Sequence, residues 1–264
     1  LWHPSRDRSI IHIDHSPAET DGHYPVAVGV VGDIKHSLDR IAGLTTPHKG
    51  AHVRPLRERL VEEMHQHRDD LDFPVKPQKI IWDLRTALDL EDIVVCDVGA
   101  HKMWMARMFR CEHPNTCIIS NGFASMGIAV PGAIAAKLVY PQRHVVAVTG
   151  DAGFMMNSQE IETAIRCKLP IVILIWKESS NALIEWKQLN QFQRISNVRF
   201  NNPDFVAYAE SFGARGFRIK RTADLPAILK EALSNDVVSI IDCPVDYREN
   251  IKLTDQLGTL VCPT

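Results

Sequence analysis

Residues 145–162 read VVAVTGDAGFMMNSQEIE. An apolar run closes on Thr149 and Gly150, a single carboxylate, Asp151, follows among small residues, and an amphipathic pattern begins at Ser158. A short continuous apolar run bounded by Gly is the signature of a strand buried on both faces. The following segment, SQEIETAIRC, places Ile161, Ala164 and Ile165 on one helical face. Asn157 and Glu160 have the spacing of a capping box that would start that helix. Strand, small-residue turn and helix together form the repeating unit of a parallel α/β sheet.

The same unit recurs outward from this stretch. From Pro77 onward the strands are DIVVCDVG, NTCIIS, HVVAVTG, PIVILIW and VVSIIDCPV, and the helices QKIIWDLRTAL, SMGIAVPGAIAAKL, SQEIETAIRC, NALIEWKQLNQF, PDFVAYAESF and TADLPAILKEAL. The predicted fold class is therefore α/β, a parallel sheet with helices on both faces. In such sheets ligands bind outside the carboxyl ends of the strands.

Upstream, SIIHIDHSPAE and YPVAVGVVGD read as strands and IKHSLDRIAG as a helix ending at Gly43, the tail of a second α/β domain whose beginning is absent. Between Thr45 and Pro77 the chain is charged and His-rich, with Leu56, Leu60 and Met64 at helical spacing, which predicts a linker helix. The expected organisation is thus 1–43, a linker over 44–76, and a main domain over 77–264. His48, His52, His65 and His67 follow no metal-ligand spacing and are read as a solvated helix face.

With 264 residues, 45% hydrophobic and 23% charged, and a formal net charge of -2, the chain can bury a sizeable core but offers no broad basic face for nucleic acid or acidic lipid. Its six cysteines form no C-x-x-C pair and fall mostly in apolar runs, which predicts reduced core thiols and a cytoplasmic protein. No apolar run is long enough to span a membrane, and no signal peptide opens the chain.

Three predicted strands end in similar loops, DVGAHKMW, SNGFASMG and TGDAGFMMN, whose small residues let backbone amides approach a ligand. Asp151 alone could simply cap a turn. Glu178, 27 positions later at the end of PIVILIW, places a second acidic side chain at the same sheet edge. Two such side chains, a carbonyl, phosphate oxygens and water complete the octahedral oxygen shell that Mg²⁺ requires.

These segments, with LIEWKQ, NPDFVAYAESFGA and PVDYRENIKLT, resemble the large subunits of acetolactate synthases, thiamine-diphosphate enzymes. The resemblance covers nearly the whole chain and implies the C-terminal part of that family, with a thiamine-diphosphate-binding fold. It implies that Gly99, Ala100 and His101 meet the diphosphate, together with Gly150, Asp151, Ala152 and Gly153. Ala124 and Met126 would meet the aminopyrimidine. Asp151 and Glu178 would bind Mg²⁺ by side chain and Ser180 by its carbonyl. Leu183, Ile184, Trp186 and Lys187 would line the substrate pocket.

The activity so implied is a carboligation: pyruvate is decarboxylated on the cofactor and the hydroxyethyl carbanion adds to a second 2-keto acid. The family's catalytic Glu belongs to an N-terminal domain absent from this chain, so the chain alone is expected to be inactive. Homodimers or homotetramers are expected. Biosynthetic members also bind FAD and a regulatory subunit, catabolic relatives need neither, and both alternatives stay open at this point. So do a different decarboxylase or carboligase on the same cofactor, and a non-catalytic fragment. The last is favoured by the departure at Glu178–Ala182, where the family commonly has Asp or Asn in the Glu178 position. Ala182 would carry strain of about 1 kcal/mol if it took a left-handed backbone.

Overall fold

The computed structural model describes residues 9–16, 26–46 and 53–253, without the side chain of Leu56. It divides into two units, Leu1–Arg57 and Glu58–Thr264. In the first, β1 (Ile10–Asp14) and β2 (Val26–Val31) pair in parallel, with a register shift between Ile10 and Ile11. Helix α1 (Ile34–Leu44) starts on Asp33, whose carboxylate accepts the His36 amide at 2.7 Å. The stretch Pro17–Tyr24, His48, His52 and Cys262 lie outside the described residues.

Helix α2 (Arg54–His65) carries the anticipated Leu60 and Met64, and its His65 stands edge-on to Trp82 with ring centroids 5.0 Å apart. The order that follows is α3 (Pro77–Ala87), β3 (Ile93–Cys96), α4 (Ala100–Met108), β4 (Cys117–Ile119), α5 (Ala129–Val139), β5 (Val145–Gly150), α6 (Asp151–Met156) and α7 (Glu160–Arg166). Then come β6 (Val172–Lys177), α8 (Ala182–Phe192), α9 (Phe205–Ser211), β7 (Arg215–Arg218), α10 (Leu225–Leu233) and β8 (Ser239–Pro244). The six strands of this unit form one sheet in the order β4-β3-β5-β6-β8-β7, parallel throughout.

The apolar runs alternate between two cores, as strands covered on both faces must. Val172, Leu174 and Trp176 of β6, with Val146 and Val148 of β5, pack against Leu84, Trp104, Met105 and Leu229 from α3, α4 and α10. Ile173 and Ile175, with Val145 and Ala147, pack on the other face against Val130, Ala133, Phe154, Ile161 and Phe205. Each fully buried large apolar side chain contributes about 1.5–3 kcal/mol. Helix α8 buries no residue completely and meets the first core through the partly buried Trp186.

Several expectations change. DVGAHKMW and TGDAGFMMN are not loops throughout, because α4 starts at Ala100 and α6 at Asp151. The edge strand β7 escaped the sequence reading because its four residues, RGFR, lack an apolar run. The capping box does not form: Asn157 turns away and donates its amide to the Gly127 carbonyl at 2.9 Å, and α7 begins after Gln159 without a side-chain cap. Among the described cysteines all are free thiols, but Cys111 and Cys167 are exposed rather than core residues.

Strand β3 has β4 on one side and β5 on the other, so the chain reverses its winding between them. The crevice beyond their carboxyl ends is the topological switch point, where open α/β sheets bind ligands.

At the far edge, β7 and α9 touch backbone to backbone. A Cβ on Gly216 would come within 2.8 Å of both Cα and O of Val206. Gly216→Ala is expected to destabilise the chain by about 1–3 kcal/mol through overpacking, read as a lowered urea midpoint. An unchanged midpoint would show that α9 yields without cost.

Candidate functional site

The switch-point crevice is built on two carboxylates. The first, Asp97, directly follows β3 and is 1% exposed. Its oxygens accept the amides of Val98 at 2.6 Å, Gly127 at 2.9 and 3.0 Å and Ala129 at 3.4 Å, and the Thr149 hydroxyl at 3.2 Å. The loop after β4 is thereby drawn over the ends of β3 and β5. Gly127 takes φ +87°, and a Cβ there would meet the Asn157 amide nitrogen at 2.7 Å. Gly153 passes so close that its Cβ would lie 3.2 Å from the Asp97 carboxyl carbon.

The second carboxylate is Asp151, at the first position of α6 and 3% exposed. Its Oδ1 accepts only the Ala152 amide, at 3.0 Å. Its Oδ2 accepts the amides of Glu178 at 3.1 Å and Ser179 at 2.6 Å, and the Asn202 side-chain amide at 2.7 Å. The exit of β6 is thus tied to Asp151 through its backbone, while the Glu178 side chain remains uncommitted to any of these bonds. The left-handed residue in this segment is Ser179, φ +63°, and not Ala182, which opens α8; the strain anticipated at Ala182 is absent.

Around these groups lies a cavity of about 150 Å³. It is lined by Gly99, Ala100, His101, Met126, Gly150, Asp151, Ala152, Gly153, Ser180, Leu183 and Ile184 among the anticipated residues, and also by Trp176 and Tyr247. Ala124 does not line it, although it sits two residues before Met126 and holds φ +55°. Glu178 and Trp186 line an adjoining cavity of about 520 Å³, which shares Ser180, Ala182 and Tyr247 with the first. Lys187 is exposed and lines neither cavity.

The His101 imidazole folds back between two glycines. A Cβ on Gly99 would come within 2.7 Å of the ring and one on Gly150 within 3.4 Å. Burial lowers its pKa to about 4, against the opposing pull of Asp97, so the ring is neutral near pH 7. Its Nε2 and the Ser180 hydroxyl are buried without a hydrogen-bond partner. Glu178 behaves oppositely: partial burial, then the carboxylates of Glu185 and Asp151, push its pKa up to about 7. Because the residue as a whole is exposed, the gathering of like charge carries more weight here than burial. Such a gathering is relieved by a cation.

Among the described residues no three His, Cys, Asp or Glu side chains cluster closely enough to hold a metal unaided. Glycine walls, unpartnered buried polar atoms and the open amides at the first turn of α4 together make a cradle for an anion.

Sequence reading passed over four residues of this site. Asp97 carried a signal, a carboxylate directly after a wholly apolar strand. Tyr247 lay within PVDYREN, and its segment is anchored when Trp104 donates to Asn250 at 2.7 Å and Gln78 to Glu249 at 2.8 Å. Trp176 read as core and stands 6.2 Å from His101 and 6.3 Å from Tyr247, ring centre to ring centre. Asn202 carried no local signal, being 51 residues from Asp151.

Residues 97–243, more than half of the chain, match the family described as thiamine pyrophosphate enzyme, C-terminal TPP binding domain. The chain is similar to an acetolactate synthase of Bacillus subtilis (strain 168), 38% identical over 96% of this chain and 45% of that protein. It is 34% identical to a catabolic acetolactate synthase of Raoultella terrigena, over 97% of this chain and 47% of that protein. A probable acetolactate synthase large subunit of Methanocaldococcus jannaschii is 33% identical over 96% of this chain and 45% of its own length. The chain spans a little under half the length of these relatives. No helix among the described residues is long and apolar enough to cross a membrane. The matched segment runs from Asp97 at the end of β3 to Cys243 in β8 and so takes in the crevice apart from Tyr247, and on that match the chain belongs to the thiamine pyrophosphate enzymes and carries their C-terminal TPP-binding domain.

Proposed function

We propose that this chain is the diphosphate-holding part of an acetolactate synthase-like carboligase, acting on pyruvate and a second 2-keto acid with thiamine diphosphate and Mg²⁺. The observation that carries the reading is the pairing of Asp151 and Glu178 beside a glycine-walled cavity in which His101 Nε2 and Ser180 Oγ lack partners. The names of the relatives support the carboligase over other uses of the same cofactor.

In this reading Asp151 and Glu178 hold Mg²⁺ by side chain and Ser180 by its carbonyl. The amides of Gly99, Ala100, His101 and Gly153 face the diphosphate, with the neutral His101 ring beside them. Met126, with Ala124 behind it, buttresses the aminopyrimidine. Leu183 and Ile184 form the apolar wall for the substrate, with Trp186 lining the adjoining cavity and Lys187 on the exposed face of α8. Thiamine diphosphate supplies the electron sink that decarboxylation of a 2-keto acid requires. The protein's part is to orient it, to exclude water with Trp176 and Tyr247, and to neutralise its phosphates.

The carboxylate that exchanges a proton with the pyrimidine belongs in this family to an N-terminal domain, here outside the chain, and is contributed across a homodimer or homotetramer interface. A regulatory subunit belongs with the biosynthetic form. The reduced cysteines support a cytosolic setting.

Calorimetric titration of the chain with thiamine diphosphate is expected to show Mg²⁺-dependent heat, and Asp151→Ala to weaken binding by about 100-fold or more, the scale of a lost metal ligand. A flat thermogram with the unaltered chain would instead mark a non-catalytic fragment.

Cation binding should also depend on pH. Only the ionised form of Glu178 ligates, and its pKa lies at about 7. Mg²⁺ affinity should therefore rise roughly tenfold from pH 6 to pH 8. Glu178→Gln should lower the affinity and flatten that profile; a wild-type profile flat across this range would remove Glu178 from the ligand set.

The intact protein carrying this chain should convert pyruvate to acetolactate. Acetaldehyde without acetolactate would replace the carboligase by a simple decarboxylase.

A further inference from the structure

The hydrogen bonds of Asp151 are distributed unevenly, and a distant residue completes the unevenness. Oδ2 is saturated by the Glu178 and Ser179 amides and by Asn202 Nδ2, whereas Oδ1 accepts a single amide. Asn202 Nδ2 also donates to the Ser179 hydroxyl at 3.1 Å, while its Oδ1 is buried and unpartnered. Exchanging the two ends of that amide would set its oxygen against a carboxylate, so the two acceptors dictate its orientation. The segment that delivers Asn202 is held firmly. Ser180 bridges Arg199 in antiparallel fashion, the Asn181 amide donates to the Val198 carbonyl at 2.9 Å, and that of Phe200 to Ser179 at 3.1 Å. Two residues beyond Asn202, Asp204 caps α9 by accepting from Val206 and Ala207.

We infer that Asn202 is a positioning residue that locks Asp151 into one-oxygen coordination and thereby sets the cation preference of the site. The inference rests on the proposed Mg²⁺ role of Asp151. With Oδ2 met by three donors, Oδ1 is the oxygen with acceptor capacity left for a metal. Mg²⁺ demands near-ideal octahedral geometry at short distances, which a single carboxylate oxygen satisfies. Ca²⁺ is larger and accepts carboxylates through both oxygens in looser shells. Removing the Asn202 donor leaves Oδ2 to the Glu178 and Ser179 amides and vacates one of its acceptor positions, so that Oδ2 can join Oδ1 on a larger cation, which favours Ca²⁺ at the expense of Mg²⁺.

The test is the ratio of Mg²⁺ to Ca²⁺ affinities, measured by calorimetry with saturating thiamine diphosphate and cross-checked by tryptophan fluorescence, since Trp176 lines the cavity. Asn202→Ala is expected to weaken Mg²⁺ about tenfold and leave Ca²⁺ unchanged or tighter. Asn202→Leu keeps the approximate size, removes the donor without adding charge, and should shift the ratio in the same direction even if the alanine variant folds poorly. Thermal unfolding without cation reports any general loss of structure. A ratio unchanged in both variants, including equal weakening of both cations, overturns the positioning role while leaving Mg²⁺ binding at Asp151 intact. Absence of cation-dependent binding in the unaltered chain overturns both readings together.

Discussion

A buried carboxylate holds the ligand-facing end of this sheet together. Desolvating an ion costs several kcal/mol unless its lone pairs are met, and Asp97 meets that cost entirely with neutral donors: amides from its own strand end and from the loop after β4, and a hydroxyl from β5. Hydrogen bonds to a charged group contribute about 1.5–3 kcal/mol each, so the loop carrying Gly127 is drawn tightly across the crevice. Everything that faces the cavity from that side, Met126 above all, is located by this one side chain.

Asp151 repeats the device one strand along and turns it outward. Its Oδ2 gathers the exit of β6 and the entry to α9, and among the described residues no Lys or Arg side chain contributes to its bonds. Neutral donors stabilise a carboxylate without cancelling its field beyond the contact. The negative potential at the mouth of the crevice is therefore kept, and it adds to partial burial and to the Glu185 carboxylate in raising the pKa of Glu178. Asp97 and Asp151 thus divide the work, the first building the floor and the second presenting charge at its edge. His101 lies between them as a neutral ring, its basicity suppressed by burial.

Much of this was legible before any coordinates. The strands β3, β5, β6 and β8 are apolar runs too regular for another reading, and most residues singled out at their ends share one cavity. The failures have specific causes. α4 and α6 begin in glycine-rich text whose helical character comes from packing Trp104, Met105 and Phe154 onto the sheet. β7 gains its place by pairing with β8 at the edge, where a strand can be short and polar. Asn157 had the spacing of a cap, but the Gly127 carbonyl offered its amide a partner from across the crevice.

What the sequence determined by itself was local: the alternation of buried strands and amphipathic helices, the glycines at the turns, and the carboxylate placed among them. Periodicity and backbone freedom are properties of neighbouring residues, and they survive in the text of the chain. The tertiary structure decided the relations between residues far apart: which strand lies beside β3, which of the oxygens of Asp151 is occupied, and that Asn202 occupies one of them. Those depend on the sheet order and on the return path of the chain, and hydrogen bonds between segments 51 residues apart leave no periodic trace.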